Sequence, residues 1–236
     1  KGEIKNFSIN KKNVEKLLAG VPVVGNTGTL VPEPIARKIV EEYGFTFPQS
    51  SIAKTSAEAV KIASEMGYPV VMKIASKDIS HKSDVGGVRI GVCSADDIKK
   101  SFDQIMANVK AKAPKAEIEG ILMQQMIIEG QEVIIGVARD SQFGPMIMFG
   151  LGGIYVEIMK DVTFRIAPLT DLDAENMIKE IKAYPMIRGV RGHEGFDEDA
   201  CKEAILRLSQ LVTDFPQIIE MDVNPLKLLP KAKKGA

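Results

Sequence analysis

Two periods of apolar residues run through this chain. In VPEPIARKIVEEYG, residues 31–44, Ile35, Ile39, Val40 and Tyr43 share a helical face, with Pro34 in the first turn and Gly44 placed to end it. NKKNVEKLLAG is a helical lead-in closed by Gly20 and Pro22. TSAEAVKIASEMG carries a capping pattern from Thr55 to Glu58 and stops at Gly67. SADDIKKSFDQIMANVKAKA is amphipathic and starts the same way, with Ser94 and Asp97. DLDAENMIKEIKAY and DEDACKEAILRLSQLVTDF complete the predicted helices.

The other segments read as strands. YPVVMKIA is β-branched and apolar, and VRIGVC follows it across the polar loop SKDISHKSDVGG. FTFPQSSIA is a short strand leading into a loop. ILMQQMIIEGQEVIIGVARD predicts two long strands around a turn at Glu129-Gly130. PMIMFG and IYVEIMK are strand-like on either side of GLGG, FRIAPL is a further strand, and QIIEMDVNPLKLL ends the pattern. Strands and helices mix without βαβα alternation, which predicts an α+β fold with two subdomains. The expected divisions are a lead-in over 1–24, one subdomain over 25–47 and 120–236, and a second over 48–119 that carries the His81 loop.

Composition narrows the classes. Lys plus Arg equals Asp plus Glu at 31 each, so a basic field for nucleic acid is absent. No apolar run approaches the roughly 18 residues of a membrane span, and no signal-peptide core is evident, so the expectation is a soluble, cytoplasmic chain. Cys93 and Cys201 stand far apart without neighbouring His or Cys, against a zinc site. There is no P-loop and no G-x-G-x-x-G motif; GLGG has the wrong spacing.

Five features could carry chemistry. Lys73 ends an apolar strand, where its ammonium either snorkels from a sheet edge or meets an anion. Gly86-Gly87 and Gly152-Gly153 are either tight turns or places where backbone N–H groups converge on an anion. Arg165 is either a phosphate clamp or the surface partner of Asp161 or Glu157. Glu220, Asp222 and Asn224 alternate, so three oxygen-bearing side chains share one strand face and form a candidate hard-cation site. The apolar residues between them predict a central strand with its acids facing a cleft. His81 is one of two histidines and sits in a polar loop ending in Gly-Gly; a neutral imidazole is a competent phosphoryl acceptor. His193, in RGVRGHEGFD, competes for that role from a loop before a helix.

Taken together, YPVVMKIASKDISHKSDVGGVRIGV, ILMQQMIIEGQEVIIGV, FGPMIMFGLGGIYVEIMKDVTFRIAPL and EMDVNPL resemble the ATP-grasp domain of nucleoside-diphosphate-forming acyl-CoA synthetases. The resemblance covers about residues 25–229 and points to the beta subunit of an ADP-forming acetate–CoA ligase, with the succinyl-CoA synthetase beta subunit more distant. It implies an ATP-grasp fold whose two subdomains grip ATP or ADP with Mg2+. It makes Lys73 a phosphate ligand, puts the loop before Gly86 and Gly87 over the phosphates, with the Gly152-Gly153 pair as a further phosphate contact, and brings the backbone at Gln125, Met126 and Ile127 to adenine with Glu132 near the ribose. Arg165 would bind terminal phosphates, and Asn224 with Asp222 or Glu220 would hold magnesium. In the family a further acidic residue follows the NPL motif; after Leu226 this chain has none. His81 would relay a phosphoryl group between nucleotide and a partner alpha subunit, with Asp222 orienting its imidazole. That partner would carry the CoA-binding domain in an α2β2 assembly. The competing readings are a free-standing ATP-grasp carboxylate ligase working through an acyl phosphate, and a nucleotide-binding regulatory module.

Overall fold

A computed structural model of the chain describes residues 1–21, 28–79, 81–152, 156, 159–190, 192, 194–233 and 235–236. It contains two compact units, residues 47–128 and residues 1–46 with 129–236, each with its own apolar core.

The smaller unit runs β1 (Ser50–Ala53), α3 (Ser56–Met66), β2 (Val70–Ala75), β3 (Val88–Val92), α4 (Ala95–Lys112) and β4 (Gly120–Gln125). Its antiparallel sheet has the order β1-β4-β2-β3. Val70, Met72 and Ile74 alternate inward from β2 and meet Ile98, Phe102, Ile105 and Val109, spaced by three and four along α4. Both helix starts are capped as the sequence predicts: the Thr55 hydroxyl accepts from Glu58 N–H and that of Ser94 from Asp97 N–H, each at 3.2 Å. The Glu58 carboxylate closes back onto Lys54 N–H rather than Thr55, at 2.7 Å.

The larger unit holds α1 (Lys11–Ala19), α2 (Glu33–Glu42), β5 (Gln131–Asp140), β6 (Gly144–Leu151), β7 (Val162–Ile166), α5 (Asp171–Glu180), α6 (Tyr184–Arg188), α7 (Glu198–Asp214) and β8 (Glu220–Leu228). Its sheet order is β7-β6-β5-β8. Cys201, Ile205, Leu208 and Val212 give α7 a buried stripe against the sheet. A capping box at Thr170 and Asp173 starts α5.

Several expectations need correction. Gly120–Gln125 is an interior strand of the smaller unit, paired with β1 and β2, so the boundary falls after Ile128 and not at 119/120. ILMQQMIIEGQEVIIGV is therefore not a hairpin; its halves enter different sheets. The lead-in is no separate piece, because Val14 of α1 is fully buried in the larger unit's core. Val156 and Met159 have helical backbone, not strand. Lastly, β8 is an edge strand and not a central one, since among the described residues it pairs only with β5. Among the described residues no helix is long and apolar enough to cross a membrane.

Candidate functional site

In the smaller unit, strand register sets what meets on the sheet face turned away from α3 and α4. Lys73 pairs across β4 with Leu122, which pairs with Ile52; Val71 pairs with Gln124, which pairs with Ser50. Directly opposed residues share a face, so Lys73 and Gln124 lie diagonally on one open surface. The Lys73 ammonium donates to the Gln124 side-chain oxygen at 2.8 Å. Because β2 is bonded on both sides, Lys73 does not snorkel from a sheet edge. At the end of β4 the N–H groups of Gln125 and Met126 bond the carbonyls of Gln49 (2.9 Å) and Pro69 (3.3 Å), fixing the chain that leads to Ile127.

His81 is exposed in the loop between β2 and β3. The loop closes on itself: Asp84 N–H donates to the His81 carbonyl (3.2 Å), Gly86 N–H to Ser83 (2.9 Å) and Gly87 N–H to Lys82 (2.8 Å). Both glycines thus serve tight turns in this conformation, with their N–H groups committed to loop carbonyls. Gly86 has φ +68°, and a Cβ on Gly87 would stand 2.6 Å from the Ile74 side chain, so neither accepts a larger residue without a shift.

In the larger unit two adjacent rows of the sheet point opposite ways. Phe164, Met148, Gly136 and Asp222 oppose one another across β7, β6, β5 and β8. The next row is Arg165, Ile147, Val137 and Met221. Ile147 and Val137 belong to the buried core, so Arg165 is on the helix-covered side, where it pairs with Glu180 of α5 at 2.5 Å. The first row faces the open side, and there Glu220, Asp222 and Asn224 are all exposed. The register therefore does not bring Arg165 beside the three oxygen donors. Nor is Asp161 its partner: that buried carboxylate accepts from Lys182 and Ala183 N–H, each at 2.8 Å. Glu132 sits opposite Lys227, 3.7 Å away, and Gly152 N–H donates to the Glu132 carbonyl at 2.8 Å. Gly153, Glu157 and His193 lie outside the described residues.

An ATP-grasp domain family model matches residues 23–232. The chain is 46% identical over 219 residues to the acetate–CoA ligase [ADP-forming] II subunit beta of Pyrococcus furiosus, covering 92% of each. The chain belongs to the ATP-grasp family, in its ADP-forming acetate–CoA ligase branch. It is also 48% identical over 216 residues to acetate–CoA ligase [ADP-forming] I of Archaeoglobus fulgidus, matching 91% of this chain but only 30% of that longer relative. Among solved structures, the ATP-grasp chain resembles the dinucleotide-forming acetyl-coenzyme A synthetase 1 of Candidatus Korarchaeum cryptofilum, described in complex with coenzyme A, Ca-AMPCP and HgCl+, at TM-score 0.76 and 46% identity over 86% of this chain and 87% of that one. Other structures of that synthetase are described with a phosphorylated phosphohistidine segment, and with Mg-AMPPCP and the segment pointing towards the nucleotide binding site.

For this ATP-grasp chain the donor set on β8 can be tested against magnesium. Among the described residues no three His, Cys, Asp or Glu side chains form a metal-binding group. Magnesium does not need one: it commonly takes one or two carboxylates and completes its shell with water and substrate phosphates. An unforeseen residue makes room for such a carboxylate. A Cβ on Gly136 would lie 2.7 Å from Asp222 Oδ1, so the acid rests where only glycine leaves space. The signal was a glycine inside the apolar strand EVIIGVARD, which marks close approach by another group. Gln124 carries no local signal of its own, since only the register of β2 and β4 brings its side chain to Lys73.

Proposed function

We propose that this chain is the nucleotide-handling part of an ADP-forming acyl-CoA ligase, moving a phosphoryl group between ATP or ADP and His81. The whole reaction is acyl-CoA + ADP + phosphate giving carboxylate + CoA + ATP, and its reverse. The observation that carries this reading is His81 itself, exposed in a loop fastened at both ends, in a chain similar to a synthetase with a described phosphohistidine segment. A free-standing acyl-phosphate ligase has no use for that histidine.

In the ATP-consuming direction the unprotonated ring nitrogen of His81 attacks the γ-phosphorus. The bond from phosphorus to the β–γ bridging oxygen breaks and ADP leaves with those electrons. The second ring nitrogen keeps its proton, and a carboxylate beside a histidine stabilises the charged ring that forms. Lys73 offers its ammonium to phosphate oxygens, held out over the open face of its sheet by Gln124. Glu220, Asp222 and Asn224 supply oxygen donors for magnesium, whose contribution when bound is to offset charge on the phosphates. The segment Gln125–Ile127, with Glu132, is proposed to meet the nucleoside; the Gly86 and Gly152 N–H groups, bonded to Ser83 and Glu132, are not assigned to its phosphates. Arg165 is assigned to the sheet–helix tie and not to the phosphates. We place the acyl-CoA site on a partner alpha subunit with a CoA-binding domain, in a cytoplasmic α2β2 assembly; the "subunit beta" name of the Pyrococcus relative supports the existence of a partner.

The test is acid-labile, base-stable label from γ-labelled ATP with magnesium, with and without the partner, in wild type and His81→Ala. Label lost in the variant supports the relay. Label retained moves the acceptor to another residue, and no label in either protein despite nucleotide binding returns the acyl-phosphate reading.

A further inference from the structure

The loop that carries His81 is gripped on both arms by side chains that no nucleotide contact explains. On the arm leaving β2, Ile79 is 6% exposed and plugs the unit's core, and the Asp78 carboxylate accepts from Glu117 N–H at 2.7 Å. On the arm entering β3, α4 presents a polar stripe at successive turns. Gln104 donates to the Asn108 side-chain oxygen (3.0 Å), Asn108 donates to the Gly86 carbonyl (3.3 Å), and Lys112 donates to the Asp84 carbonyl (3.0 Å). Residues four apart on a helix stack on one face, so the stripe is a ledge running beneath the loop. Gly86 fits it closely, since a Cβ there would stand 2.7 Å from the Asn108 amide nitrogen.

These clamps set how far His81 can travel. At about 3.5 Å per extended residue, two residues from Ile79 allow a reach of about 7 Å, whereas six residues from the end of β2 at Ala75 allow about 21 Å. A phosphoryl carrier working at one place needs only the first; one that serves a second, distant site needs the second, and both arms must let go.

We propose that Asp78 on one arm and the Asn108–Lys112 ledge on the other are positioning residues that dock the His81 loop for one of its two transfers and release it for the other. This rests on the phosphohistidine reading above. None of the three touches the reacting atoms; Asn108 and Lys112 hold the loop backbone, and Asp78 ties its arm to Glu117 N–H.

The experiment uses the full chain with its partner subunit and compares wild type, Asp78→Ala, the double variant Asn108→Ala/Lys112→Met, and His81→Asn. Two quantities are read: amide hydrogen exchange of the loop and of α4, and the rates of two half-reactions, label uptake from ATP and label exchange with the partner's acyl-CoA site. Losing one ordinary hydrogen bond shifts an opening equilibrium by roughly two- to tenfold. The expected result is exchange at Asp84, Gly86 and Gly87 raised by that factor in Asp78→Ala and by more in the double variant, which loses two bonds, with α4 still protected, and half-reaction rates that shift unequally, one slowing while the other holds or quickens. Unchanged loop exchange overturns the proposal, as does faster exchange with both half-reactions unaltered or altered by one factor. Label persisting in His81→Asn instead overturns the underlying histidine assignment, which the exchange data do not address.

Discussion

Gly136→Ala separates site geometry from fold stability. The residue lies in β5 opposite Asp222, and its φ is outside the left-handed region, so alanine meets no backbone strain. The new methyl would sit 2.7 Å from Asp222 Oδ1, where ordinary contact begins at 3.4 Å, so the carboxylate must move by about 0.7 Å (3.4 minus 2.7). The Met148 methyl, at 3.1 Å, is the end of a flexible side chain and gives way readily. Replacing an interior strand glycine recovers roughly 0.5–1 kcal/mol of chain entropy, so the fold itself should be little affected. A catalytic group tolerates about 0.5 Å of displacement, and a misplacement near 1 Å costs on the order of 100-fold. The expected outcome is a 10- to 100-fold fall in label transfer from ATP at fixed magnesium, partly recovered at high magnesium, with the unfolding free energy from urea within about 1 kcal/mol of wild type. Single-turnover transfer across a magnesium titration, beside urea unfolding, measures both. Transfer within twofold of wild type at all magnesium concentrations would refute the role given to Asp222.

Asp161→Ala strips acceptors from two backbone N–H groups at the turn into α6; at about 1–1.5 kcal/mol each it should cost roughly 2–3 kcal/mol, which calorimetry reads as a Tm lower by several degrees. Arg165→Ala breaks a half-exposed tie to Glu180 and should cost no more than about 1 kcal/mol, leaving the KM for nucleotide within twofold; a tenfold rise in KM would return Arg165 to the phosphates. Burial, then the hydrogen bond to Asp214, pushes the Tyr43 hydroxyl pKa well above its ordinary 10.0. The sign follows: below 10 the neutral phenol is present folded and unfolded and the contribution is intact, while above 10 only the unfolded chain ionises readily, so stability falls as pH rises. Tyr43→Phe should make that loss between pH 10 and 11.5 shallower in urea titrations. Burial raises the Cys201 thiol from 9.0 in the same sense, so Cys201→Ala should flatten the loss that begins near pH 9.

Local signals in the sequence were reliable where the physics is local. The caps read at Thr55 and Ser94 start helices because each hydroxyl satisfies a backbone N–H within three residues, and the structure shows the same device at Thr170 and Asp197. The stripes Ile98–Val109 and Cys201–Val212 are buried because their spacing leaves one side to hide. The position of His81 in an exposed loop was equally legible, since a polar run ending in two glycines has nothing to bury. The family branch was readable from the same loop together with the EMDVNPL ending.

Strand partnership was beyond that reach. An apolar strand carries no mark of which neighbour it pairs with, so Gly120–Gln125 and Gln131–Asp140 looked like a hairpin although they belong to different sheets. The same blindness made β8 look central, because Met221 and Val223 are needed inside even at an edge with one bonded side. Alternation showed that Glu220 and Asp222 share a face but could not relate that face to Arg165 two strands beyond β5. Only the paired registers, with Phe164 in the row of Asp222 and Arg165 in the row of Met221, put them on opposite sides of one sheet. Spacing along the chain thus determined the elements, their caps and the chemistry each could offer. Which of those groups meet was decided by hydrogen-bond register between distant strands, since a shift of one residue turns every side chain to the other face.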